Sequence, residues 1–247
     1  MGKQNHSTEL QRKEKSALKK SLLDILSSKG YKLPLSPVTL LDQGTDITAL
    51  EREAWDGKLV VKDADFYRQF TQTQLSMFAH KYACYGLPTT ELVAWIKMEI
   101  GEAVAIEIGS GTGALGRALG IPMTDSKQQE RRDIQAYYAS IRQPVIQYPE
   151  DVEKLDYQEA ILKYKPDVVI GSWITQKYRE DHHELGGNVD GVEEEWVLAN
   201  CKKYILVGHG KTHWGKPILI RDHQDHRTDF IFSRSMTPKE NFIKVWN

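Results

Sequence analysis

From residue 103 the chain reads Ala103-Val104-Ala105-Ile106-Glu107-Ile108, then Gly109-Ser110-Gly111-Thr112-Gly113, then Ala114-Leu115-Gly116. A short apolar run that meets closely spaced glycines predicts a buried parallel strand turning tightly into a helix that begins near Ala114. Glycines at alternate positions let a ligand approach the backbone, and the N–H groups of such a turn suit a phosphate or a nucleoside. The site belongs at the carboxyl end of that strand. Gly111 to Gly116 also spells the dinucleotide fingerprint GxGxxG, and Asp125 lies at a distance that a dinucleotide or a smaller nucleoside cofactor would accept. Three features divide these readings. Glu107 stands two residues before the first glycine, where a pyrophosphate gains nothing from a negative charge and a cationic sulfonium tolerates one. None of the eleven tyrosines is followed four residues later by lysine, so the Tyr-x-x-x-Lys pair of short-chain hydride-transfer enzymes is missing. The chain after the turn is also short for the separate substrate domain of the larger dehydrogenases.

Further along, Asp151 and Val152 lie in the acidic turn PEDVEKLD, where Asp156 and Glu159 have the spacing of a helix capping box. The run PDVVIGSW predicts another buried strand ending at Ser172 and Trp173, and Trp173 suits either stacking on a planar ligand or core packing. A polar loop follows, YREDHHELGGNVDG. Its His182 and His183 have the pKa range of a proton acceptor and equally suit a solvated surface. His209 with His213, and His223 with His226, lie near glycines or in a polar turn, so no metal site is assigned to them. Tyr82 and Tyr85 of HKYACYGLP come just before the helix that leads into the glycine strand; either core packing or the mouth of a site accounts for them.

Taken in order, E-I-G-S-G-T-G, Asp125, Asp151-Val152 and PDVVIGSW resemble the motif series of class I S-adenosylmethionine-dependent methyltransferases, over residues 85–247. The resemblance implies a Rossmann-like fold and S-adenosyl-L-methionine as cofactor. It implies that Glu107, Gly109, Ser110, Gly111 and Gly113 wrap the methionine part, that Asp125 binds the ribose, that Asp151 and Val152 reach the adenine, and that Ser172 lies beside the cofactor. Trp173 and His183 then face the acceptor. Asp125, before Ser126, equally suits a helix cap, and Asp151 equally suits a plain turn. The D/N-P-P-Y/F motif that amino-group methyltransferases carry at Gly171-Ser172-Trp173 is missing, which disfavours amino methylation of DNA and leaves a small molecule, a protein or RNA as acceptor. A noncatalytic cofactor-binding protein or a subunit of a methylation complex is the rival reading.

The elements that must position these residues follow from periodicity. Strand candidates at 121–124, 144–147, 167–171 and 204–208 alternate mostly with helical stretches, which predicts parallel βαβ units. Residues 229–233 and 241–246 are β-rich and joined by the short turn SMTPKE, predicting an antiparallel pair that closes the sheet. The fold class is therefore α/β, a Rossmann-like, mostly parallel sheet with a C-terminal antiparallel strand pair and an N-terminal helical extension. Residues 64–81 read as helical, and Thr89, Thr90 and Glu91 start a helix running to about Met98. Residues 10–28 place Leu18, Leu22, Ile25 and Leu26 on one helical face with a basic face opposite, and a Pro-rich cover segment follows Gly30. Residues 1–84 are thus assigned to an extension and 85–247 to the cofactor domain. A net charge of -1 supplies no general attraction to nucleic acid or acidic membrane. Two cysteines without a CxxC pair, and no signal or membrane-spanning run, predict a protein of the reducing cytoplasm with no membrane partner.

Overall fold

The computed structural model describes residues 45–247. The helix expected over residues 10–28 and the start of the cover segment lie outside the described residues. Three short helices come first: α1 (Thr48–Ala54), α2 (Ala64–Arg68) and α3 (Gln72–Lys81). The helical stretch expected from Ala64 to Lys81 is broken in two, because Thr71 and Gln74 form a reciprocal capping box that restarts the helix. Leu50, Tyr67, Leu75 and Phe78 of these helices pack with Leu87 and Ala114 into a small core. The strand β1 (Gly86–Leu87) and the helix α4 (Thr90–Ile100) follow, and the Thr89 hydroxyl caps α4 by accepting from Leu92 N–H.

The main sheet has seven strands: β2 (Ala105–Ile108), β3 (Met123–Asp125), β4 (Glu153–Lys154), β5 (Val168–Ser172), β6 (Lys203–His209), β7 (Gln224–His226) and β9 (Asn241–Trp246), in the order β4-β3-β2-β5-β6-β9-β7. The first five in that order run parallel, while β9 is antiparallel to both β6 and β7. Side chains alternate between the faces of each strand, so both must be covered. On one face Ala105, Val168, Ile170, Ile205, Ile243 and Val245 meet Leu92, Val93 and Ile96 of α4 and Leu115 and Leu119 of α5 (Ala114–Leu119). On the other, Ile106, Ile108, Val169, Leu206, Phe242 and Trp246 meet Ala160 and Ile161 of α7 (Tyr157–Tyr164) and Val197 of α8 (Glu194–Ala199). Each such aliphatic side chain contributes roughly 1.5 to 3 kcal/mol by leaving water. The remaining helix, α6 (Arg132–Ser140), lies between β3 and β4 and has no fully buried residue.

Two local expectations take a different form. Residues 144–147 are not a strand; Ile146 gives its N–H to the Gln129 side-chain oxygen (2.8 Å) instead of a ladder, and the third parallel strand is the shorter β4. The closing antiparallel pair is present, with a different partner. The last strand pairs with β7, residues 224–226, while β8 (Phe232–Ser233) leaves the sheet to pair with β1. Every residue of β9 is buried, so it needs a neighbour on each side, and β6 and β7 supply them. From β2 the chain moves outward through β3 to β4, then returns to β5 and moves the other way. The carboxyl ends of β2 and β5 therefore flank the point where the strand order reverses, which is where open α/β sheets leave a crevice.

Candidate functional site

The glycine turn occupies that crevice. Gly109, Gly111 and Gly113 all have positive φ (59°, 53° and 67°), and Gly113 in the left-handed region opens α5. At Gly113 the requirement is also spatial, since a Cβ would lie 2.8 Å from Val152 Cγ2 and 2.9 Å from Met123 Sδ. Ser110 fixes the turn to β3, its hydroxyl donating to Glu107 O and Thr124 O at 3.1 Å each. Asp125 completes the attachment from the end of β3. One carboxylate oxygen accepts Gly111 N–H (3.0 Å) and the other accepts Lys127 N–H (2.7 Å). Burial raises the Asp125 pKa, an effect the two N–H donors oppose. The Tyr148 side chain also hydrogen-bonds the carboxylate, which, with about four acceptor sites, keeps some capacity for a ligand.

Two cavities adjoin the turn and share Tyr85, Ser172 and Trp173 as walls. The smaller, about 50 Å³, is bounded by Glu107, Ser110 and Thr112 on one side and by Cys84, Tyr85 and Gly86 on the other. The larger, about 410 Å³, is within the size range of small-molecule sites and runs from Gly109 and Asp125 past Tyr148, Tyr138 and Tyr157 to Asn188 and Asp190. Trp173 follows β5 with φ of 60°, a backbone conformation that is a true outlier for a bulky residue and that collects at ligand sites. Its ring stacks on His209 (centroids 5.9 Å apart) and meets His213 edge-on. The indole Nε1 is buried with no hydrogen-bond partner, beside Gly86, where a Cβ would stand 2.8 Å from it.

Other residues singled out by the sequence are placed as follows. Glu107 points from β2 under α5, accepts Gly116 N–H at 2.9 Å, and is pushed up to about 8 by burial. Its carboxyl then holds its proton near neutral pH, so it does not present the negative charge that would favour a sulfonium over a pyrophosphate. Asp151 is held by Arg117 through two hydrogen bonds (2.7 and 2.8 Å), which bring its carboxyl down to about 2, with Lys58 at 3.5 Å. It lines neither cavity, and Val152 is buried beneath the glycine turn. Ser126, Gln129, Ile146 and Tyr148 form the cavity wall beyond Asp125. His183 is exposed in a 3-10 turn (Glu180–Leu185) and also lines neither cavity; the same loop reaches the larger one through residues 188–192. Tyr82 stacks on Trp55 at 3.8 Å, away from both, and only Tyr85 of that pair faces the site. The His209 backbone N–H donates to His213 Nδ1, and the His209 ring Nε2 lies among Ser235 and Thr237. No group of three or more His, Cys, Asp or Glu is placed to hold a metal among the described residues.

The sequence matches no protein-family model and no curated protein. Solved structures similar to it include a Streptococcus mutans protein described as "a putative sam-dependent methyltransferase", 12% identical with a TM-score of 0.34, matched over 64% of this chain and 48% of that one. Another is WbdD, solved with the kinase inhibitor LY294002, also 12% identical with a TM-score of 0.34, over 81% of this chain and 47% of the other. The chain spans about half the length of either neighbour. At that level of similarity neither carries an argument about the chemistry of this site.

Sequence reasoning missed Tyr138, Tyr148 and Tyr157 as cavity residues. Tyr138 sits on α6, whose sequence carries only an amphipathic pattern, and Tyr148 lies in the coil that replaces the expected strand. Their shared signal was aromatic type in a polar stretch following Asp125.

Proposed function

We propose that this chain is an S-adenosylmethionine-dependent methyltransferase. The observation that carries the reading is the sheet order, with β9 inserted antiparallel between β6 and β7, combined with a glycine turn at the point of strand reversal. An all-parallel dinucleotide sheet offers no counterpart to that last strand. The residues present fit the cofactor: a turn whose glycines leave backbone uncovered, Asp125 with acceptor capacity left for a ribose hydroxyl, and Tyr148 and Ile146 beside it for a purine. Ser110, Glu107 and the unpartnered Trp173 Nε1 surround the smaller cavity, where a polar amino-acid moiety fits.

S-Adenosylmethionine supplies an electrophilic methyl group. The chain's own part is to orient and to exclude water. Ser172 and Trp173 form the wall shared by the two cavities, so an acceptor in the larger one is aligned by the Trp173 ring toward the glycine turn. Gly171-Ser172-Trp173 offers no carboxylate or imidazole to take a proton, so a ready nucleophile is favoured as acceptor. The same observation supports the rival reading of a chain that binds the cofactor without transferring its methyl.

The test is calorimetry with S-adenosylhomocysteine, S-adenosylmethionine and NAD side by side. The first two are expected to bind and NAD is not. Asp125→Ala should weaken S-adenosylhomocysteine by at least about tenfold, since a charge-assisted hydrogen bond is worth roughly 1.5 to 3 kcal/mol, and Asp125→Asn should be milder. Because Asp125 also holds Gly111 and Lys127, melting temperature is measured on both variants; a loss of stability with unchanged affinity leaves Asp125 a structural anchor alone.

A further inference from the structure

Few buried side-chain polar atoms lack a hydrogen-bond partner among the described residues, and Trp173 Nε1 is one of them. Tyr67, Thr228 and Trp246 carry others, and these three residues line neither cavity. Glu194 and Lys216 face each other at 3.0 Å. Trp173 lines both cavities, and its Nε1 lies against Gly86, a wall of the smaller cavity alone. The N–H edge of the indole therefore belongs to the smaller cavity. Gly86 does not have a positive φ, so its backbone has no need of glycine; the missing side chain is what leaves room for that edge. The ring is fixed from the other side by its stack on His209 and its edge contact with His213. An indole N–H buried in this way costs free energy until an acceptor reaches it.

The other walls agree on what that acceptor is. An indole nitrogen donates and never accepts. On the glycine-turn side, Thr112 N–H also has no acceptor among the described residues. Among the described residues that bound the cavity, Glu107 is the one acid and none is Lys, Arg or His. Burial pushes Glu107 up to about 8, so near neutral pH no negative charge opposes an anionic group there. The unmet groups are thus donors, and a hydrogen bond to a carboxylate is stronger than one to a neutral oxygen. The cavity of about 50 Å³ takes about three to five groups the size of a water, at roughly 10 to 15 Å³ each, which suits a carboxylate with the carbon that bears it and is too small for a nucleoside. We propose that Trp173 Nε1 binds the carboxylate of the methionine part of S-adenosylmethionine in the smaller cavity, and so selects a cofactor that carries this carboxylate over shortened nucleosides. The methyltransferase reading supplies the identity of the ligand; the carboxylate site itself stands on the cavity and its donors.

S-Adenosylhomocysteine and its decarboxylated analogue, which lacks only the carboxylate, are titrated by calorimetry into the natural protein and into Trp173→Phe, whose ring has no N–H. The natural protein is expected to bind S-adenosylhomocysteine at least about tenfold more tightly than the analogue. Trp173→Phe should weaken S-adenosylhomocysteine at least about tenfold and the analogue by less than about threefold. A second measurement needs no variant. The chain has six tryptophans, and the indole ¹⁵N–¹H signal of Trp173 is identified by its nuclear Overhauser contact with Gly86. That signal should move downfield with S-adenosylhomocysteine and hardly at all with the analogue. Equal affinity for the two ligands, an unmoved Trp173 signal in the bound protein, or an equal loss of both ligands in a folded Trp173→Phe protein would overturn the proposal while leaving the cofactor reading intact. L-Methionine and 3-(methylthio)propylamine at millimolar concentration separate the opposite case. If S-adenosylhomocysteine does not bind, yet L-methionine moves the Trp173 signal and the amine does not, the cofactor reading fails and the carboxylate site stands. If neither S-adenosylhomocysteine nor L-methionine binds, both are overturned.

Discussion

Glu107 illustrates how a residue's type and its state come apart. The acid was legible in the sequence, and so was its place beside the glycines. Its protonation was not, because that depends on α5 closing over it. The sign of the pH effect follows from burial. A carboxyl raised from 4.5 to about 8 keeps its proton in the folded chain and loses it when unfolded, so its contribution to stability is complete below about 4.5 and is lost as pH rises through about 8. Asp125, on the neighbouring strand, adds to the rise, while Gly116 N–H, Ser110 and Arg117 oppose it. Glu107→Gln, whose amide oxygen can still accept from Gly116, should therefore gain in melting temperature relative to the natural chain as pH goes from about 5 to about 9. A difference that stays constant across that range would mean Glu107 is ionised throughout. Asp151 and His183 show the complementary limit. Asp151 follows from the order of the motifs and His183 from its side-chain type in a polar loop; what keeps both out of the cavity walls, the Arg117 pair and a surface 3-10 turn, are contacts that spacing alone does not encode.

Among elements, the buried strands were read closely because both faces are covered, so their apolar runs are continuous: β2, β5 and β6 each lie within a residue or two of expectation. Residues 144–147 do not form a strand: Pro144 has no N–H to give a ladder, and the Gln129 side chain takes the N–H of Ile146. Partner choice was also hidden, since nothing local in residues 229–233 says that Phe232 and Ser233 pair with Leu87 and Gly86 of β1, far earlier in the chain. A third concealed feature joins α8, β6 and the segment before residue 217. Lys216 Nζ lies 3.0 Å from Glu194 Oε2, the Tyr204 hydroxyl donates to Glu194 Oε1 at 2.8 Å, and all three side chains are buried. Burial lowers the Lys216 pKa, and Glu194 opposes that. Removing one partner of such a pair leaves the other charge without compensation, at a cost of about 3 to 5 kcal/mol. Lys216→Met should cost that much in urea denaturation, and Lys216→Met with Glu194→Gln should recover most of it. A single substitution that costs under about 1 kcal/mol would show that the pair is not what holds these elements together.

On the scale of the molecule, the described residues include no helix long and apolar enough to cross a membrane, and the net charge of -1 supplies no general attraction to a polyanion. The place of β9 has a consequence for the order in which the chain can be made. Strands β2 to β5 come from one contiguous stretch, residues 105–172, and can pair as they emerge from the ribosome at roughly 5 to 20 residues per second. On the other side β6 waits for a neighbour that is synthesised after β7 and β8, and β7 has no partner in the sheet until β9 slides between them. A nascent chain whose emerged part stops at Glu240 thus carries one edge of the sheet bare, with Ile205, Leu206 and Val207 lacking the side chains that cover them in the finished fold. Such arrested chains should be cut rapidly by protease, and chains with residues 241–247 clear of the exit tunnel should resist. Equal resistance at both lengths would mean that the sheet forms without its last strand. Until that strand is delivered, the exposed edge is a place where a chaperone can hold the chain or a second nascent copy can pair with it.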